Sequence, residues 1–257
     1  MTKRQKFVIS SLLLASGFLM MQFFVVTSFR YQTIAGLTFL TAVFGVWSFW
    51  EGLGRNSTLL SLVLPTLFTL AVGLFYFLLP ASWLSAVPIL VLYTLGIYAL
   101  FLTSNIYTVA TARAIALLRT AHAFGFLLTL LTGFLLFDTL FSLKLGLLVN
   151  GVGSALISFP LLLQGFWSID LERKLNYEVL FPAIAGALIL AQIATALSFW
   201  PIFIPVAASS LTTVLYVVLG LGQAKLQQRL FVRTIKEYFL VGAVVFLTMF
   251  LTARWAG

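Results

Sequence analysis

Five strongly polar side chains, Gln22, Asp138, Asn150, Gln164 and Gln192, each stand inside a long apolar run of the chain. In hydrocarbon an unpartnered amide or carboxyl group is costly, so such groups turn toward a bundle interior or toward water and mark candidate solute or proton sites. Asp138 is the only carboxylate among the five and the candidate proton or cation site. With the helix directions derived below, Gln22, Asp138, Asn150 and Gln192 fall in the outer half of the membrane, and Gln164 falls toward the cytoplasmic side. The four outer residues outline a polar vestibule open to the outside. In the plainer alternative Asp138 reaches water or pairs with Lys144, and the amides hydrogen-bond neighbouring helices.

Lys225, Arg229, Arg233 and Lys236 recur at helical spacing within Gln223 to Glu237, with Phe231 and Ile235 roughly opposite. One basic face on a helix lying at the inner surface suits anionic lipid headgroups, each charge contributing about 1 kcal/mol; the alternative is that the charges only set orientation. A second stretch, Asn105 to Thr120, is long enough for another surface helix. If it continues into the next span, Thr108, Thr111, Arg119 and His122 share a face and Arg113 lies off it. His122 is the only histidine and there is no cysteine, which excludes paired-histidine zinc motifs, thiolate chemistry and disulfides. No glycine-rich phosphate loop and no acidic cluster is present, so we expect no enzyme, no cofactor and no metal. The least implausible enzyme would act on lipid through Arg113, Arg119 and His122. No lysine falls well inside a span, which disfavours a retinal Schiff base.

The elements that carry these residues follow from composition. Hydrophobic residues make up 62% of 257 positions and charged residues 8%, against about 25% charged in soluble domains. Fifteen basic and six acidic side chains cannot coat a soluble domain of this size, so the solvent is the bilayer. A spanning helix needs about 20 apolar residues. Runs such as Leu59 to Leu79 lack the alternation of a membrane barrel. The fold class is therefore all-α: one polytopic transmembrane helix bundle with about nine spans, eight being the alternative, and the N-terminus inside. The spans run from Phe7 to Phe29, Tyr31 to Trp50, Ser57 to Leu79, Ser82 to Ser104, Ala121 to Ser142, Leu145 to Ile169, Glu178 to Phe199, Ile202 to Gly222 and about Tyr238 to Ala253, the last being shortest. The basic start and long apolar stretch of the first read as a retained span rather than a cleaved signal.

Orientation follows from the Lys and Arg residues, which favour the cytoplasmic side. Lys3, Arg4, Lys6, Arg55, Arg113, Arg119, Arg173, Lys174, Lys225, Arg229, Arg233 and Lys236 fall inside; only Arg30, Lys144 and Arg254 fall outside. Trp47, Trp50 and Trp167 land at inner ends and Trp83, Trp200 and Trp255 at outer ends, as interfacial indoles do. A span, a Pro/Trp turn, a span, a basic segment and a further span recur over 57–142 and 178–255, a weak parallel repeat, the alternative being a chance arrangement of hairpins. Ala183, Ala187, Ala191 and Thr195 form an i+4 row, and Gly151 with Ala155 repeats it, as close-packing seams. The 26 phenylalanines are expected to face lipid or fill between helices.

The stretch Leu102-Thr-Ser-Asn-Ile-Tyr-Thr-Val-Ala-Thr-Ala-Arg-Ala-Ile-Ala-Leu-Leu-Arg-Thr-Ala-His-Ala-Phe-Gly-Phe126 resembles a region of uncharacterised multi-pass membrane proteins of candidate-phyla bacteria. The resemblance implies a similar topology and a bacterial cytoplasmic membrane, and it carries no activity. Two functional readings stand: a transporter or permease-like subunit for a small neutral or hydrophobic substrate, or a membrane scaffold or assembly subunit. The expected partners are the bilayer, with anionic headgroups on the cytoplasmic side, and a membrane protein or a second copy of the chain; nucleic acid is not among them.

Overall fold

The computed structural model of the protein describes residues 3–24, 29–49, 55–79, 82–110, 116–171 and 176–253. They form nine helices, with no strand among the described residues: α1 (Lys3–Phe24), α2 (Arg30–Phe49), α3 (Arg55–Tyr76), α4 (Trp83–Ala110), α5 (Leu118–Ser142), α6 (Leu147–Asp170), α7 (Tyr177–Leu197), α8 (Ile204–Leu226) and α9 (Val232–Thr252). Each of α2 to α9 contains a stretch long and apolar enough to cross a membrane. The all-helical, multi-pass architecture expected from composition is therefore present. Thr111, Arg113, Trp50, the Pro80–Ala81 turn, Arg173, Lys174, Arg254 and Trp255 lie outside the described residues.

Among the described residues the two surface helices expected between spans are not found. Asn105 to Ala110 continue α4, and α5 begins at Leu118. Gln223 to Leu226 continue α8, and Val232 to Glu237 are already the first turns of α9. α9 is consequently 21 residues long rather than the shortest span. The physical reason lies in how α8 stops. Gln228 takes a left-handed conformation at φ 56°; its N–H reaches the Lys225 carbonyl at 2.9 Å and the Arg229 N–H reaches the Ala224 carbonyl at 2.8 Å. That pair of bonds closes the last turn as a Schellman motif, normally built on glycine. Lys144 and Leu171 also take positive φ, at 51° and 53°, next to the ends of α5 and α6.

The chain divides into two compact units inside α5, after Leu128. In unit 1, α1 packs on α2 and α4, and α3 packs on α2 and α4. Its interior is aromatic. Phe7, Phe49 and Phe101 meet with centroids 5.8–6.4 Å apart, and Phe18 stacks on Tyr93 at 4.7 Å. These phenylalanines fill between helices, as one of the two expected uses. Some polar groups inside unit 1 are cross-linked, while Gln22, Arg30 and Thr38 keep buried side-chain atoms without a partner. Thr41 donates to Thr69 at 3.0 Å, Thr69 shares a proton with the Tyr93 hydroxyl at 3.2 Å, and Ser10 pairs with Ser48 at 3.2 Å. Pro65 stands within α3 and has no N–H for the carbonyl four residues back. That carbonyl belongs to Ser61, and Ser104 of α4 donates to it at 3.0 Å.

In unit 2, α6 packs most extensively on α7 and also on α8, α7 packs on α8, and α9 packs on α8. The two small-residue rows meet here. A Cβ on Gly151 would run into the Thr195 hydroxyl and lie 3.5 Å from the Ala191 carbonyl. On the other sides of α6, Gly165 faces Leu219 of α8 and Gly153 faces Leu140 of α5. Trp167 lies in the last turn of α6, as expected, and is packed inside, 1% exposed.

Gly151→Val should therefore lower thermal stability in mild detergent, at a cost of about 1–3 kcal/mol from overpacking. Gly36, with nothing within 4 Å of a built Cβ, is the control: Gly36→Ala should raise stability by roughly 0.5–1 kcal/mol through helix propensity. Unfolding followed by fluorescence checks both.

Candidate functional site

The face of α6 turned into unit 2 carries polar residues at intervals along its length, with Ile157 and Leu161 between them. Asn150, Ser154 and Ser158 follow one another at i+4 spacing, and Gln164 returns to the same side; at about 100° per residue the four span an arc of roughly 120°. All are buried, Ser154 and Ser158 at 0% exposure. The Asn150 Oδ1, Ser154 Oγ, Ser158 Oγ and Gln164 Oε1 atoms have no hydrogen-bond partner in the protein. From the first to the last, α6 rises about 21 Å. Mid-helix serines usually satisfy themselves on the carbonyl four residues back, as Ser198 and Ser210 do on Ala194 and Val206. Ser154 and Ser158 do not. Pro160 lies just beyond Ser158 and leaves the Leu156 carbonyl without its usual N–H.

Each end of this row is anchored. The Asn150 amide nitrogen donates to Ser198 Oγ of the α7 C-cap at 2.9 Å. Gln223 of α8 donates to the Gly165 carbonyl at 3.0 Å. Over the Asn150 end opens a cleft of about 260 Å³, lined among others by Phe141, Lys144, Asn150, Ser198, Trp200 and Ala207. It places one lysine at its margin and is lined in part by Asn150, the first residue of the row. The donor set offers acceptor oxygens and hydroxyls, suited to a small solute that donates hydrogen bonds, to water or to a weakly held cation. Among the described residues no group of three or more His, Cys, Asp or Glu could hold a metal ion.

Of the residues picked out in the sequence, Asn150 and Gln164 belong to this face. Asp138 lies in unit 2 on α5, 6% exposed. Gln192 is exposed on α7. Gln22 belongs to unit 1, and neither atom of its amide has a hydrogen-bond partner. Arg30, also in unit 1, sits with its guanidinium 5.0 Å from the Phe77 ring. Lys225, Arg229, Arg233 and Lys236 are all exposed, but they do not share a helix face, because α8 ends between the first two. Arg233 pairs with Glu237 at 3.0 Å. Thr108 and His122 are on different helices; the His122 ring lies 5.8 Å from Tyr107, whose hydroxyl donates to the Ala121 carbonyl at 2.8 Å. Ser154 and Ser158 were not legible as site residues. Their one signal is the i+4 continuation of Asn150.

A family model described as "Protein of unknown function (DUF5656)" matches residues 48–252. No curated protein and no solved structure matches the chain.

The contrast between paired and unpaired interior groups has a measurable consequence. Thr69→Val, which breaks the Thr41–Thr69–Tyr93 chain, should destabilise the protein by about 1 kcal/mol. Ser158→Ala removes an unpaired oxygen and should leave stability unchanged or raise it. Thermal midpoints of the two variants in the same detergent decide this; a loss on Ser158→Ala equal to that on Thr69→Val would make Ser158 a structural hydroxyl.

Proposed function

The chain belongs to that family of unknown function, and on this premise we propose from its own geometry that it is a permease-like membrane protein, or a subunit of one, that passes a small neutral solute along the α6 face of unit 2. The observation that carries the reading is the row of four buried oxygens without protein partners on one helix. A low-dielectric interior penalises each unsatisfied acceptor by about 1–3 kcal/mol. A row kept along about 21 Å of helix therefore supports a role that uses those acceptors in turn. A solute with hydroxyl or amide protons would exchange one for the next without leaving a charge in the membrane.

In this reading the N-terminus is cytoplasmic, as the distribution of basic residues indicates, and the cleft at Lys144 and Trp200 opens outward. A neutral solute fits because the α6 face carries no charge; ions would meet a desolvation penalty that unpaired hydroxyls do not offset. No chemical step is assigned to the chain. The membrane in question is, on the resemblance noted above, a bacterial cytoplasmic one.

The chain has no cysteine, which makes single cysteines clean reporters. Lys144→Cys, Ser154→Cys and Ser158→Cys should all react with a small water-soluble methanethiosulfonate in intact cells, with rates falling in that order. Reaction at Lys144→Cys alone would mean a closed interior, and the scaffold reading would replace the permease one.

A further inference from the structure

Unit 2 holds another feature that the α6 row does not use. Two cavities follow one another along the seam between α7 and α8. The first, about 500 Å³, lies where α7 begins and α8 ends; Tyr177, Glu178, Phe181, Lys225 and Gln228 are among its walls. The second, about 470 Å³, has only uncharged walls, including Ile189, Ile193, Val217 and Leu221, and is closed on one side by Phe239 and Gly242 of α9. Gly222 lines one and its neighbour Leu221 the other, so the two cavities are neighbours along α8. From Phe181 to Ile193 α7 rises about 18 Å. That is close to one leaflet of a hydrocarbon core about 30 Å thick.

Charge sits at one end of this seam only, and it is of both signs. Glu178 and Lys225 line the same cavity, while the ion pair nearby in the chain joins Arg233 to Glu237. Tyr177 and Phe181 stack beside Glu178 with centroids 5.5 Å apart and an interplanar angle of 23°. They are 70% and 55% exposed, so their faces are available. Aromatic faces next to a carboxylate attract an alkylammonium; a lysine attracts a phosphate. An acidic headgroup lacking an ammonium would be repelled by Glu178.

We propose that unit 2 binds one zwitterionic phospholipid, its phosphate on Lys225, its ammonium at Glu178 and the Tyr177–Phe181 pair, and one acyl chain in the apolar seam behind α9. The site is separate from the α6 face and does not depend on what that face conducts. Gly242 supplies a way to close it. A Cβ there would touch only Val217, at an ordinary 3.7 Å, so a larger side chain fills the seam without forcing the backbone.

The test is native mass spectrometry of the purified full chain, delipidated and then offered equimolar dioleoyl phosphatidylethanolamine and dioleoyl phosphatidylglycerol. The unsubstituted protein should retain the ethanolamine lipid preferentially. Glu178→Gln, at an exposed position, should erase the preference; Lys225→Gln should weaken retention of both lipids about tenfold, as loss of one charge-assisted contact does. Gly242→Leu should expel both while leaving the labelling rate of Ser158→Cys unchanged. Preference for phosphatidylglycerol, retention indifferent to Glu178→Gln, or a Gly242→Leu protein that holds lipid as before would each overturn the proposal.

Discussion

Hydrocarbon offers no hydrogen bonds, so each polar atom taken into a membrane must find its partner inside the protein. Unit 1 meets that demand only in part: Gln22, Arg30 and Thr38 keep buried side-chain atoms without a hydrogen-bond partner, while other groups are paired. Even the carbonyl freed by Pro65 is taken up by Ser104 of the neighbouring helix, and the Thr41–Thr69–Tyr93 chain ties α2, α3 and α4 together. In unit 2 the same demand is left open along α6. The helices of unit 1 are filled with rings and joined by hydroxyl pairs, and those of unit 2 are brought close by glycine and alanine beside a face that carries unpaired oxygens.

Much of this could be read in the sequence because length and hydropathy alone set where a spanning helix can be. The rows of Gly151 and of Ala191 with Thr195 were also legible as seams, since small residues at i+4 spacing have few other uses between apolar helices, but not that the two rows meet each other. The helix ends were less so. Gln228, Lys144 and Leu171 adopt the left-handed conformation without the glycine that usually announces it, which is why α8 and α9 read as joined by a surface helix. The facing of Gln192 could not be read either. A helix apolar on all sides has little periodicity to orient it, and a single amide does not say which side is interior. Ser154 and Ser158 escaped notice for another reason: a serine in a helix ordinarily bonds its own backbone, so only the structure shows that these two do not.

α6 links the two functional readings of unit 2. Its inward face bears the unpaired oxygens, and Phe166, near its far end, is one wall of the seam proposed to hold a phospholipid headgroup. A lipid seated there would stiffen the α7–α8 contact at the end where Gln223 crosses to Gly165. The polar face and the first cavity thus share a helix, with hydroxyls and amides on one side and the Phe166 ring on another.

α9 stands differently from the rest. Met249 is its one buried residue among those described, and its partner is α8, through the Tyr238 ring over Gly220, the Tyr216 ring at 4.8 Å from that of Tyr238, and a Ser210 to Met249 contact of 3.1 Å. With so little protein around it, packing constrains its tilt less than that of the other spans, which are 33–67% buried against 6% here. A mismatch between apolar length and bilayer, costing fractions of a kcal/mol for each ångström, therefore meets least resistance at this helix.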